Sequence, residues 1–199
     1  MKAVVIDHST PEPTTSQPSD WNPRGEVTVG EFLPRMSAGL LIYRVSVDGE
    51  VDVLLVHPGG PFWARRDEGA WSIPKGEYEI SEDPLAASSR EFEEELGSAP
   101  PAGVRTDLGE VRQASGKRIR AWAVEGDFDA STARSNTFSL EWPPRSGAFQ
   151  EFPEVDRAAW ESVAVARRKL VSGQVPFLDR LLAHIAAFPS SLREIGHDE

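Results

Sequence analysis

The stretch that most constrains this chain runs from Gly76 to Gly97, GEYEISEDPLAASSREFEEELG. Its second half packs four glutamates and an arginine into Arg90-Glu91-Phe92-Glu93-Glu94-Glu95. On a helix, Glu91, Glu94 and Glu95 are spaced i, i+3, i+4 and share one face within about 100° of arc. Like charges at that spacing repel and destabilise an isolated helix. The arrangement suits a solvated surface, or a site where a hard divalent cation takes oxygen ligands. Leu85, Phe92 and Leu96 form a narrow apolar stripe on another face, ready to pack on a core. Ala87 and Ser88 sit one turn before Glu91, and their small side chains are expected to leave room for a metal and a phosphate. Ser81 or Glu82 is expected to close the amino end, Pro84 suits the first turn and Gly97 the stop. Arg90 can reach Glu94 one turn on. One side of the helix is built to pack and the other to coordinate.

Elsewhere the chain divides unevenly. Residues 1–35 are rich in Pro, Ser and Thr with short apolar runs, a composition that predicts a flexible extension. Ala38 to Val45 and Val51 to Val56 read as two apolar strands joined by a turn at Asp48-Gly49. His57 to Glu77 reads as loop. After the acidic helix and the break at Pro100-Pro101, residues 104–113 and 117–125 read as strands. Residues 135–160 read as a long connection, rich in Pro, aromatics and acids. Ala158 to Val171 and Pro176 to Phe188 have helical apolar spacing. Strands on both sides of one helix, followed by helices, predict an α/β fold in which a mixed β-sheet is sandwiched between α-helices.

Composition narrows the class. The chain has no cysteine, which removes disulfides, a thiol nucleophile and cysteine zinc sites. A net charge of −11 argues against passive binding to a nucleic-acid polymer, yet bound cations would still admit phosphorylated small molecules. No apolar run approaches the roughly 20 residues of a membrane span, and MKAVVIDHST lacks the apolar core of a signal peptide. The expectation is a cytoplasmic protein without a membrane partner.

The spacing Gly76, Glu82, Arg90-Glu91-Phe92, Glu94-Glu95, Gly97 resembles the signature of the Nudix hydrolases. Ser98 stands where that family prefers an aliphatic residue, a departure that touches packing alone. The resemblance implies a Nudix fold over residues 36–199, an α/β/α sandwich, and a monomer or homodimer. It implies hydrolysis of a nucleotide polyphosphate by water attacking phosphorus, with magnesium or manganese as cofactor. By motif position Glu91, Glu94 and Glu95 are the metal ligands, and either Glu94 or Glu95 is alternatively the general base. Arg90 orients a carboxylate, Glu82 braces the loop and Gly76 permits a tight turn. Some family members carry a further acid before a late strand; Glu154 fits that place best, with Glu151 its rival.

For the substrate, Trp71-Ser72-Ile73-Pro74-Lys75-Gly76 is similar to the approach to the box in diadenosine polyphosphate hydrolases. That makes a dinucleoside polyphosphate such as diadenosine tetraphosphate the leading expectation, ahead of a nucleoside triphosphate or an ADP-ribose-type nucleotide sugar. A nucleotide sensor without turnover is a further reading. Lys75 is either a phosphate partner or a solvated loop lysine. His57 either meets a phosphate or is structural. Phe62-Trp63 and the Trp142–Arg145 segment could stack a base, with Trp142 more simply a lid on the core. Lys117, Arg118 and Arg120 are candidate polyphosphate contacts, or a charged strand edge kept from pairing.

Overall fold

Seven consecutive residues, Ser37 to Tyr43, are buried on both sides of the pleat in β1 (Met36–Val45), which marks it as a central strand. The computed structural model describes residues 36–188; the expectations for residues 1–35 lie outside the described residues. β1 pairs in parallel with β5 (Arg118–Glu125) along its length, from Met36↔Arg118 to Tyr43↔Glu125. Its other edge is shared. The carboxyl end pairs with β2 (Val51–Pro58) after a turn in which Gly49 takes φ 82. The amino end pairs with β3 (Lys75–Glu77), as Ser37↔Glu77 and Gly39↔Lys75. Gly39 permits that approach, because a Cβ there would lie 2.8 Å from both Lys75 Cβ and Pro74 O.

The sheet runs β4–β5–β1–β2–β8, with β3 beside β1; β4 is Thr106–Arg112 and β8 is Val155–Ser162. On one face Leu40, Ile42, Leu54, Val56, Trp122 and Val124 meet Ala87, Phe92 and Leu96 of α1 (Pro84–Leu96). On the other, Leu41, Tyr43, Val53 and Leu55 meet Phe177, Leu178 and Leu181. Those three belong to α3 (Val175–Ala187), which follows the short α2 (Val163–Lys169). Residues of alternate parity on β1 and β2 therefore feed two cores, and the expected α/β/α sandwich is what forms. No helix among the described residues is long and apolar enough to cross a membrane.

Three local readings need correction. The loop before the helix contains β3, and Ser72 and Pro74 continue the wedge: Leu40 N donates to Pro74 O at 3.0 Å, and Val56 and Ser72 exchange backbone bonds at 2.9 Å. The connection over residues 135–160 holds a hairpin, β6 (Thr137–Glu141) with β7 (Phe149–Pro153), followed by β8. The helical reading from Ala158 fails over its first part. Residues 158–162 pair with β2 as Val56↔Ala158 and Leu54↔Trp160, since β2's outer edge needed a strand more than the apolar spacing needed a helix. The helix starts where Ser162 accepts from Val165 N.

Candidate active site

α1 is held at both ends by local chemistry. Asp83, rather than Ser81 or Glu82, is the N-cap: its Oδ2 accepts from Ala86 N at 2.9 Å, with Pro84 in the first turn. Gly97 ends the helix in the left-handed region at φ 80. Phe92 and Leu96 are buried as the apolar stripe requires. Ala87 and Ser88 are buried too, contrary to the expectation that they leave room for ligand. Their small side chains instead let the helix settle on the sheet, and Ser88 Oγ donates to Leu85 O at 2.7 Å.

The carboxylates lie over β3. A Cβ on Gly76 would stand 1.5 Å from Glu91 Oε2, so the Glu91 carboxylate occupies the space a side chain would fill. One residue earlier, Lys75 N donates to Glu95 Oε2 at 3.0 Å. Arg90 is the hub of the outer side. Its Nε and Nη2 grip the two oxygens of Glu82 at 3.0 and 3.2 Å, and its Nη1 reaches Glu91 at 2.6 Å and Glu94 at 3.2 Å. Glu82 thereby holds Arg90, and the acids raise the Arg90 guanidinium further above its usual range.

The carboxylates do not respond alike. Arg90 holds Glu82 below the usual carboxylate range. Burial pushes Glu91 up, and Arg90 offsets only part of that. Glu95 keeps some exposed surface, but its carboxyl end is enclosed, and burial raises it to about 7. Lys75 opposes that rise, while the charges of Glu91 and Glu154 add to it.

Glu95 also borders a cavity of about 210 Å³. Trp63, Lys75, Gln113, Glu154 and Gln174 line it, with Val56 among its apolar walls. Glu154 and Lys75 therefore share a space with Glu95 of the motif. Glu151 lies exposed on β7 opposite Ser139 and does not line it. Gln113 and Gln174 carried no signal in the sequence. Gln174 is fully buried, and its Oε1 accepts from Ile73 N at 3.0 Å, which fixes the loop that delivers Lys75. Beyond Glu95 a second cavity of about 300 Å³ is bordered by Ser131 and Arg134.

The remaining candidates are placed elsewhere. His57 is fully buried, with Nδ1 2.7 Å from Asp156 Oδ1 and Nε2 2.7 Å from Arg66 O, and it braces the loop that carries Trp63. Lys117 pairs with Glu77 at 3.2 Å, and Arg120 with Asp107 at 2.6 Å while lying over Trp122. Arg118 pairs with Glu110 at 2.6 Å. None of the four lines the cavity. The cationic ends of Lys117, Arg118 and Arg120 are matched to acids in the way a charged strand surface would be.

The model of the NUDIX domain matches residues 33–181. The chain belongs to this family. As a Nudix protein it is a hydrolase of phosphoanhydride bonds. An RNA pyrophosphohydrolase of Rhodospirillum rubrum is 27% identical over 161 residues, covering 78% of this chain and 94% of the relative. One of Alkalilimnicola ehrlichii is 44% identical over 52 residues, 25% of this chain and 29% of that protein. Among solved structures, a C. elegans Ap4A hydrolase binary complex superposes with a TM-score of 0.54 at 20% identity, over 76% of this chain and 99% of that one. The NUDIX domain of Shewanella oneidensis NrtR complexed with ADP ribose gives 0.53 at 16% identity, over 83% and 94%. At those identities the likeness is one of fold.

Nudix hydrolases generally use divalent metals, and the donor chemistry here fits one. Glu91, Glu94 and Glu95 offer only carboxylate oxygens, the ligands hard cations take. Among the described residues no three acidic or histidine side chains converge as a ready cage. Instead Glu91 and Glu94 lean on Arg90, and Glu95 on Lys75 N.

Proposed function

We propose that this chain is a magnesium- or manganese-dependent pyrophosphohydrolase of a nucleotide polyphosphate, with a dinucleoside polyphosphate as its substrate. The observation that carries the reading is the cavity in which Glu95 meets Lys75, Trp63 and Glu154. It pairs a cation for phosphate and an aromatic face for a base with carboxylates for metal and proton. The Trp71-to-Gly76 approach adds to the dinucleoside choice.

Glu91, Glu94 and Glu95 would hold the cation, which when bound neutralises phosphate oxygens and lowers the pKa of a bound water. Arg90 keeps Glu91 and Glu94 in place. Lys75 draws the phosphate chain toward the carboxylate face, and Trp63 holds the base beside it. The proton of the attacking water passes to a carboxylate at the cavity: Glu154, or Glu95 where the cation is held by Glu91 and Glu94 alone. Water then adds to phosphorus and the anhydride oxygen leaves with the other phosphate, without a covalent enzyme intermediate. The protein acts in the cytoplasm as a monomer or homodimer.

A second reading comes from the near full-length relative described as an RNA pyrophosphohydrolase. It would place the 5′-polyphosphate end of an RNA on the same carboxylates. Product analysis by anion exchange separates the two. Diadenosine tetraphosphate, ADP-ribose, nucleoside triphosphates and a short 5′-triphosphate RNA are each supplied with magnesium or with chelator. Metal-dependent cleavage of the first to ATP and AMP supports the primary reading. Preference for the RNA supports the second. Tight nucleotide binding with no cleavage of any would replace both with a sensor.

A further inference from the structure

We propose that Phe62 and Trp142 form a second base-stacking site at the mouth of the cavity, holding the nucleobase on the far side of the cleaved polyphosphate. The inference rests on the hydrolytic reading above and extends it to a substrate with two bases.

The two rings are far apart in sequence but meet edge to face, with centroids 5.4 Å apart and planes at 83°. A lid on the core would bury such rings. Phe62 is instead 59% exposed and Trp142 half-buried, and neither ring belongs to the two hydrophobic cores or to the residues packed against them. The contrast with the next residue is direct: Trp63 packs on the α3-side core and lines the cavity. A single loop thus puts one aromatic inside and its neighbour on the rim.

The hairpin that supplies Trp142 is fastened to the same loop. Phe138 and Leu140 share a face of β6 by alternation, a face that Trp142 continues as its N–H donates to Ala148 O at 2.9 Å. Phe152 stands opposite Phe138 with ring centroids 6.2 Å apart. Gly60 lies against Phe138, where a Cβ would come within 3.1 Å of Cζ, and Gly59 N donates to Glu154 O at 2.9 Å. Glu154, which follows β7, and Trp63, the chain neighbour of Phe62, both line the cavity, so the two segments that carry the aromatic pair each border it. Arg65 and Arg145 each follow their ring by three residues and are exposed. Aromatic rings that stand clear of the core are a stacking surface that tolerates any base.

The occupant is a second nucleobase joined through the phosphate chain. It comes either from the other nucleoside of a dinucleoside polyphosphate or from the next nucleotide of an RNA 5′ end. The test compares kcat/KM for diadenosine tetraphosphate, for adenosine 5′-tetraphosphate, which has the same phosphates and one base, and for a short 5′-triphosphate RNA. In Phe62→Ala and Trp142→Ala, the ratio of two-base to one-base kcat/KM should fall roughly tenfold or more, mainly through KM. Phe62→Tyr and Trp142→Phe, which keep a ring, should restore most of it. A fall on diadenosine tetraphosphate assigns the site to the second nucleoside, and a fall on RNA alone assigns it to the next nucleotide. An unchanged ratio on both would overturn the inference. So would a loss of Phe62→Ala activity that is equal on one-base and two-base substrates. If the wild type cleaves none of the three, the hydrolytic reading fails and this inference fails with it.

Discussion

Gly76 and Glu91 occupy one space, and that exclusion makes a sharp residue-scale prediction. A Gly76→Ala methyl would collide with the far end of a flexible side chain, so the fold should survive while the Glu91 carboxylate is displaced. Turnover should drop at least about tenfold, with thermal stability little changed; a normal rate would show that the position of Glu91 is unimportant. Glu95 gives a prediction in pH. Its folded pKa of about 7 stands above the ordinary 4.5, so between those values the folded chain keeps a proton that the unfolded chain has lost. Its contribution to stability is full below about pH 4.5 and is lost as pH rises through 7. In chelator, the urea midpoint of the wild type should fall relative to Glu95→Gln between pH 5 and pH 8. A constant difference would place Glu95 in a more open setting. At this scale the sequence is most legible where spacing alone defines a shared face, as for Arg90, Glu91, Glu94 and Glu95. It is silent on Gln174, which reaches Ile73 across 101 residues by tertiary contact.

The elements depend on their ends. Asp83→Ala removes the acceptor for Ala86 N and should cost about 1 kcal/mol of stability. Gly97→Ala must hold an L-residue at φ 80 and bring a Cβ within 2.8 Å of Arg134 O, so a loss of at least about 1–2 kcal/mol is expected. Thermal unfolding of both variants checks these values, and an unchanged midpoint for Gly97→Ala would mean the cap relaxes without cost. Pro84 and Gly97 make the bounds of α1 readable from the amino-acid order alone. Asp83 is harder to single out as the cap, because Ser81 and Glu82 offer the same kind of oxygen two residues and one residue earlier. The misreading of residues 158–162 has a different origin. Arg157-Ala158-Ala159-Trp160 carries no turn residue, and its strand character comes from pairing with β2. The hairpin at residues 137–153 is only half legible: Thr137-Phe138-Ser139-Leu140-Glu141 alternates as a strand should, but its partner Phe149-Gln150-Glu151-Phe152-Pro153 does not, and the pairing between them is what makes β7 a strand.

Across the whole molecule, the fork in β1 is what makes a site. β2 leaves one half of its edge and the 72–77 segment fills the other, carrying Lys75 and Gly76 beneath the carboxylates of α1. Gln174 locks that wedge to the opposite layer. Gln174→Leu would leave Ile73 N buried without an acceptor and should cost about 1–3 kcal/mol, readable as a lower urea midpoint. A neutral result would mean water or Ser72 replaces the amide. The two layers are legible because each strand of the α/β/α sandwich alternates between two apolar faces; the fork is not, because a three-residue strand has too little pattern to read. The central claim is that the carboxylate face of α1 carries the reaction. The most direct measurement is the magnesium-dependent kcat of Glu95→Gln on the substrate the wild type cleaves best. The rate should fall at least about a hundredfold while the variant stays folded and, at pH 8 in chelator, is no less stable than the wild type. Near-normal turnover by a folded Glu95→Gln would contradict the assignment of catalysis to this face.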